Sequence, residues 1–206
     1  MKLDDKGLLI VISGPSGVGK GTVRSALFEM EGHDFVYSIS MTTRKPRQGE
    51  ENGREYYFVS REEFQKSIDE GKMLEYAEFV NNFYGTPLDK VQEQLELGKE
   101  VVLEIDVQGA AQVREKMKDA VFIFIAPPSF DALHNRLLSR GTEAPEIIQQ
   151  RIEKAKREIN LAHMYDYIVV NDTVENAADK IIAIIRAEHA TVKRTINKYR
   201  EMLEVK

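Results

Sequence analysis

The chain contains no cysteine. Disulfide cross-links and thiolate metal sites are therefore excluded, and a reducing compartment, the cytoplasm, is the expected location. It also lacks a long apolar run. Leu8–Ile12 is far too short for a membrane span or the core of a secretory signal, and Asp4 and Asp5 precede it. No lipidation motif and no low-complexity tract is found, so no membrane association is expected. A basic excess is missing too. The net charge is −5, whereas a non-specific nucleic-acid binder would be basic, so no nucleic-acid partner is expected. His33, His134, His163 and His189 are scattered without metal-ligand spacing. No segment repeats.

What is present suits one compact α/β domain with small inserted lobes: 206 residues, 42% of them apolar. Leu8–Ser13, Val101–Ile105 and Val121–Ala126 are short apolar runs that predict buried strands; Tyr167–Val170 reads as a last short strand. Helices are expected over 19–30, 61–70, 88–97, 109–116, 129–139 and 146–161, and one long amphipathic helix over 176–199. Ser60 with Glu63 three residues on reads as a capping box. Leu74–Val80 reads as a strand, broken by Tyr84-Gly85-Thr86-Pro87. Strands alternating with helices predict a parallel sheet with helices on both faces. Residues 35–85 and 129–155 fit that alternation poorly and are expected to project over the strand ends, where such sheets bind ligands.

The strongest chemical signal is Gly14-Pro15-Ser16-Gly17-Val18-Gly19-Lys20-Gly21-Thr22, which follows a strand and opens a helix. That context marks a phosphate loop. The glycines let backbone N–H groups converge on an anion, the helix N-terminus adds partial positive charge, and Lys20 supplies a full charge for the β- and γ-phosphates. Gly21 stands where a Ser or Thr usually follows the lysine as a magnesium ligand. Magnesium is therefore expected to be held mainly by phosphates and water, with Thr22 on a phosphate oxygen and no protein ligand firmly assigned.

The segment Ser40-Met41-Thr42-Thr43-Arg44-Lys45-Pro46-Arg47, continuing through Gly53-Arg54-Glu55-Tyr56-Tyr57-Phe58, resembles the GMP-binding signature of guanylate kinases. Matches follow in order at Leu74–Phe79, Tyr84–Thr86, Glu104–Gly109, Ile125–Ser129, Arg140–Glu143 and Val170–Asp172. The resemblance, to the bacterial type, runs from about Gly7 to Ile185. It implies transfer of the γ-phosphoryl group of ATP to GMP (and to dGMP), with magnesium as cofactor. It also implies a core over about 1–37, 95–126 and 158–206, a GMP-binding lobe over about 38–94 and a mobile lid over about 127–157.

By this resemblance Arg44, Arg47, Tyr56 and Tyr84 hold the GMP phosphate, a task that suits arginine's planar fork. Glu75 is the carboxylate for the guanine N1–H and N2–H donors, with Ser40 and Thr86 as hydroxyls near the base. Asp106 and Glu104, at the end of a strand, are expected to assist at base, ribose or magnesium. Lys20, Arg44, Arg140 and Arg151 are the candidates for neutralising the moving phosphoryl group. Arg136 lies one helical turn before Arg140, either sharing its task at ATP or pairing on the helix surface. Asn171 is either an adenine contact or part of an Asx turn. No general base is assigned, because the GMP phosphate is already a nucleophile. Gly141 and Pro145 are the expected flexure points of the lid.

Three rivals are kept open at this point. Non-catalytic guanylate-kinase-like modules bind proteins, but typically carry a damaged phosphate loop, and here Gly14, Gly19 and Lys20 are intact. A phosphate-loop kinase with another acceptor is a second. A GTPase switch is a third, although its Asn-Lys-x-Asp pattern is absent from the chain. The C-terminal helix, with Ile181, Ile184, Ile185 and Ile196 on an apolar stripe, packs either on its own domain or on a partner. The oligomeric state is left open.

Overall fold

A computed structural model describes residues 6–139 and 145–199. The chain forms two compact units, one comprising Lys6–Ser13 and Asp34–Phe122, the other Gly14–His33 and the chain from Ile123 onward.

In the first unit, β1 (Leu9–Ser13), β2 (Phe35–Tyr37) and β7 (Glu100–Glu104) are parallel, in the order β2-β7-β1. Leu9 lies beside Val101 and Phe35 beside Glu100. Every residue of β1 is buried, the pattern of a strand covered on both faces. A second sheet has the order β4-β3-β6-β5, built from β3 (Met41–Thr42), β4 (Tyr57–Phe58), β5 (Met73–Phe79) and β6 (Asn82–Pro87). Its β5–β6 hairpin corrects the sequence reading, because Tyr84–Pro87 does not break a strand but forms the return strand. The turn is at Val80 and Asn81, with φ of 48° and 59°, the geometry of a two-residue hairpin loop. Gly85 serves close packing: a Cβ there would lie 2.6 Å from the Glu75 carbonyl oxygen.

The helices of this unit are α2 (Arg61–Asp69), α3 (Leu88–Glu96) and α4 (Val107–Lys116). The expected capping box is present on α2, with Ser60 accepting from the Glu63 N–H and the Glu63 side chain accepting from the Ser60 N–H. Phe64 of α2 is fully buried and stacks on Phe83 at 5.3 Å. Its full burial makes it one of the anchors of the sheet lobe.

In the second unit, β8 (Val121–Ala126), which enters from the first, continues from Ile123 parallel to β9 (Tyr167–Val170). Helix α1 (Lys20–Glu29) packs on α7 (Val174–His189). Val23 and Leu27 of α1 and Ile181, Ile182 and Ile185 of α7 are buried, so the stripe on α7 is satisfied within its own unit. Helices α5 (Phe130–Ser139) and α6 (Pro145–Ile159) join through Leu133, Leu137, Ile148 and Ala155. The single long C-terminal helix is not observed. After α7 the chain is extended at Thr191 and continues as α8 (Val192–Thr195) and a 3-10 turn, Ile196–Tyr199. The Thr191 hydroxyl donates to the Glu188 carbonyl at 2.9 Å, a local bond that competes with helix continuation. Among the described residues no helix is long and apolar enough to cross a membrane.

Candidate functional site

The phosphate loop has the geometry its glycines permit. Gly17 and Gly19 have φ of 86° and 96°, a region that side chains with a Cβ disfavour. A Cβ on Gly17 would lie 2.6 Å from Leu137 Cδ2, and one on Gly19 would lie 2.7 Å from Asn171 Nδ2. Helix α1 begins at Lys20 with no side-chain cap and no acidic residue in its first turn. Its leading N–H groups, which form the positive end of the helix dipole, therefore carry neither a side-chain cap nor a first-turn carboxylate. Lys20 Nζ folds back to donate to the carbonyls of Gly14 at 2.7 Å and Pro15 at 3.2 Å. Thr22 is exposed and Ser16 half-buried.

Three predicted ATP-side residues gather on this loop. Arg136 donates to the Val18 carbonyl at 3.0 Å and to the Asn171 carbonyl at 2.9 Å. Asn171 Nδ2 donates to the same Val18 carbonyl at 2.8 Å, and its buried Oδ1 has no hydrogen-bond partner among the described residues. Asn171 therefore braces the loop while keeping an acceptor open. Arg151 Nη2 donates to Ser16 Oγ at 2.8 Å. Glu158, buried on α6, accepts the Ser16 N–H at 3.2 Å. Nothing in the sequence reading singled out Glu158, although it lies two turns along α6 from Arg151. Arg140 and Gly141 lie outside the described residues, as does the expectation built on them.

The predicted acceptor residues lie in the other unit. Arg44 makes a two-pronged pair with Glu50, Nη1 to Oε2 and Nη2 to Oε1, both at 2.9 Å. Its guanidinium lies 5.4 Å from the Tyr56 ring centre and 5.7 Å from that of Phe58. Tyr56 and Tyr84 rings are 6.0 Å apart. The Glu50 hydrogen bond pushes the Arg44 pKa up; burial opposes it, and the Glu50 charge and then Tyr84 add to the rise. Glu50 in turn is held below the usual carboxylate range, first by Arg44 and then by the Arg47 N–H, which donates to Oε2 at 2.7 Å. Arg47's own side chain is exposed. Glu50 was missed in the sequence because a glutamate in a charged loop reads as solvated; its place six residues after Arg44 becomes meaningful once the loop folds back.

Glu75 is 6% exposed, far below what an unpaired carboxylate tolerates. It sits opposite Thr86 across the β5–β6 ladder, and the Thr86 hydroxyl donates to Oε1 at 2.7 Å. Burial pushes its pKa up to about 7, the Asp106 charge adds to the rise, and Thr86 and Lys116 oppose it. Asp106 caps α4, its Oδ1 accepting from the N–H groups of Gln108 at 3.1 Å and Gly109 at 2.9 Å. Glu104 ends β7, half-buried, and half-buried Ser40 accepts the Tyr57 N–H through its carbonyl at 2.9 Å. The structure thus groups Arg44, Tyr56 and Tyr84 about one cation, and Glu75, Thr86 and Asp106 about one buried carboxyl. Among the described residues no cluster of three or more His, Cys, Asp or Glu could hold a metal ion.

The chain has relatives of known name. The family model for guanylate kinase matches residues 6–188. The guanylate kinase of Onion yellows phytoplasma (strain OY-M) is 59% identical over 205 residues, covering 99% of this chain and 97% of that protein. That of Listeria monocytogenes serotype 4b (strain F2365) is 55% identical over 202 residues, covering 98% of each. The crystal structure of guanylate kinase from Anaplasma phagocytophilum superposes with a TM-score of 0.74 at 37% identity, covering 97% of this chain and 96% of that one. That solved structure has the same α/β class, with a parallel central sheet flanked by helices. On the family match and these near-full-length identities, the chain belongs to the guanylate kinase family.

Proposed function

We propose that this chain transfers the γ-phosphoryl group of ATP to GMP, giving ADP and GDP, with ATP on the glycine loop and GMP at the Arg44 and Glu75 clusters. The relatives named above are guanylate kinases, and the loop glycines and Lys20 that catalysis needs are present. A non-catalytic protein-binding role is not favoured. The observation that carries the acceptor reading is buried Glu75, hydrogen-bonded to Thr86. An ionised carboxylate accepts from guanine N1–H and N2–H together. Adenine offers it no such pair and would leave buried groups unmatched, a mismatch that can discriminate by ~10⁴.

Each residue then has a task. A GMP phosphate oxygen attacks the γ-phosphorus while the bond to the β–γ bridging oxygen breaks and ADP leaves. Lys20, released from the Gly14 and Pro15 carbonyls, neutralises the β- and γ-phosphates. Arg44, Arg47, Tyr56 and Tyr84 take the acceptor phosphate. Arg151, already at Ser16 of the loop, and Arg140 neutralise the transferring group. Arg136 and Asn171 support the loop, and the open Asn171 Oδ1 suits the adenine amino group. Ser40 reads the base, and Glu104 and Asp106 border it. Magnesium bound to the phosphates would supply further neutralisation; with Gly21 after Lys20, it would be held mainly by phosphate oxygens and water. The stretch 38–94 acts as a GMP lobe and 127–157 as a closing lid, and the enzyme works in the cytoplasm. It acts without nucleic-acid or membrane partners.

The test is an acceptor panel of GMP, dGMP, AMP, CMP and UMP with ATP, read by coupled ADP release. GMP should be used best and dGMP second. Comparable rates with AMP would remove the guanine assignment.

A further inference from the structure

Three residues of α4 meet the segment that carries Glu75. β5 is the edge strand of its sheet, so its outer backbone groups have no neighbouring strand. Gln112 takes that place at a single residue: its Oε1 accepts the Tyr76 N–H at 3.1 Å and its Nε2 donates to the Tyr76 carbonyl at 2.9 Å. One turn on, Lys116 Nζ donates to the Met73 carbonyl at 2.7 Å. Between these two anchors the β5–β6 register shifts, at Met73/Glu75. At the other end of the same helical face, a Cβ on Gly109 would stand 2.9 Å from Glu75 Oε2. Positions 109, 112 and 116 are spaced i, i+3, i+7, one stripe of an α-helix.

A bulge is a place where a strand re-aims a side chain. Left alone at an edge it would have several conformations, and a buried carboxyl on it would have several poses. We propose that the Gly109–Gln112–Lys116 stripe of α4 sets guanine specificity, by clamping the β5 bulge at Met73 and Tyr76 and so fixing Glu75 against Thr86. Gln112 and Lys116 are positioning residues, because they touch the backbone and not the base. Gly109 leaves the room in which the carboxyl lies. Asp106, which caps the first turn of α4, holds the start of the same stripe. The inference rests on the reading of Glu75 as the guanine carboxylate.

The test uses the full chain and two acceptors, GMP and IMP, which differ in the 2-amino group that Glu75 would accept from. Variants Gln112→Met, Gly109→Ala and Glu75→Gln are compared with wild type in kcat/KM. Gln112→Met keeps length and loses both bonds. It should lower the GMP/IMP ratio ~10-fold, within the ~10²-fold that a 1 Å displacement can cost. The loss should be in KM for the acceptor, with KM for ATP unchanged. Gly109→Ala should lower the ratio in the same direction, and gives a second reading if Gln112→Met does not fold. The double variant with Glu75→Gln should discriminate no worse than Glu75→Gln alone. If Glu75→Gln collapses the ratio while Gln112→Met and Gly109→Ala leave it unchanged, the clamp is refuted and the Glu75 reading stands. If Glu75→Gln itself leaves the ratio unchanged, that reading falls and takes the clamp with it.

Discussion

Lowering the pH from 8 to 6 should weaken guanine binding through one group, the Glu75 carboxyl. Burial raises its pKa from 4.5 to about 7, and reading two guanine donors requires the ionised form. Roughly nine-tenths of molecules hold that form at pH 8 and roughly one-tenth at pH 6, so apparent affinity should fall about tenfold. Binding at pH 7 should release roughly half a proton per ligand, since guanine selects the carboxylate. Folding carries a linked signature. A carboxyl whose pKa is raised keeps, when folded, a proton that the unfolded chain has lost. Its contribution to stability is complete below pH 4.5 and disappears as pH climbs through 7, a change of about 3 kcal/mol. Glu75→Gln should abolish that decline and leave the variant more stable than wild type at pH 8. The binding assay is titration calorimetry in two buffers of different ionisation enthalpy. Guanosine is used beside GMP, because the phosphate ionises near pH ~6 on its own. Guanosine affinity that stays flat from pH 8 to 6, or a slope that survives Glu75→Gln, would refute the argument.

Lys20→Ala should lower kcat by about 10²- to 10³-fold, measured by initial rates at saturating ATP and GMP. Glu50→Gln should raise KM for GMP about tenfold and leave KM for ATP unchanged, because the two-pronged hold on Arg44 is lost; guanosine affinity, which involves no phosphate, should not move. Val80→Asn should stabilise the chain by about 1 kcal/mol in urea unfolding, since a β-branched residue at φ 48° is strained and asparagine tolerates that region.

The strand, glycine turn and helix start around Lys20 were legible in the sequence because the pattern is local and lies within one short run. The buried strands β1 and β8 and the short, partly exposed strand β9 were legible for the same reason, as was the capping box at Ser60. Gly85 and Pro87 misled because both residue types punctuate turns. Here Gly85 is demanded by the nearness of the Glu75 backbone, and Pro87 ends its strand. The actual turn, Val80-Asn81, pairs a turn-forming asparagine with a β-branched residue that disfavours the required φ, so its turn signal was weak. The break at Thr191 was hidden inside a helical period that the Thr191 hydroxyl interrupts. Glu75 was legible through the family signature, but its partner across the hairpin, its raised pKa and the support from Gln112 depend on pairings that no local pattern encodes. Glu50 and Glu158 were missed likewise, since each gains its meaning from a residue brought near by folding.

The chain passes between its two compact units at Ser13–Gly14, His33–Asp34 and Phe122–Ile123. Neither half is therefore a contiguous stretch of gene. A fragment ending at Phe122 would carry the glycine loop and α1 without the β8–β9 and α7 partners they pack with, and one starting at Gly14 would strip β1 from beside β7. Protein engineers wishing to recombine the two units from different relatives would have to swap interleaved segments or permute the termini, because a single crossover cannot exchange one unit intact.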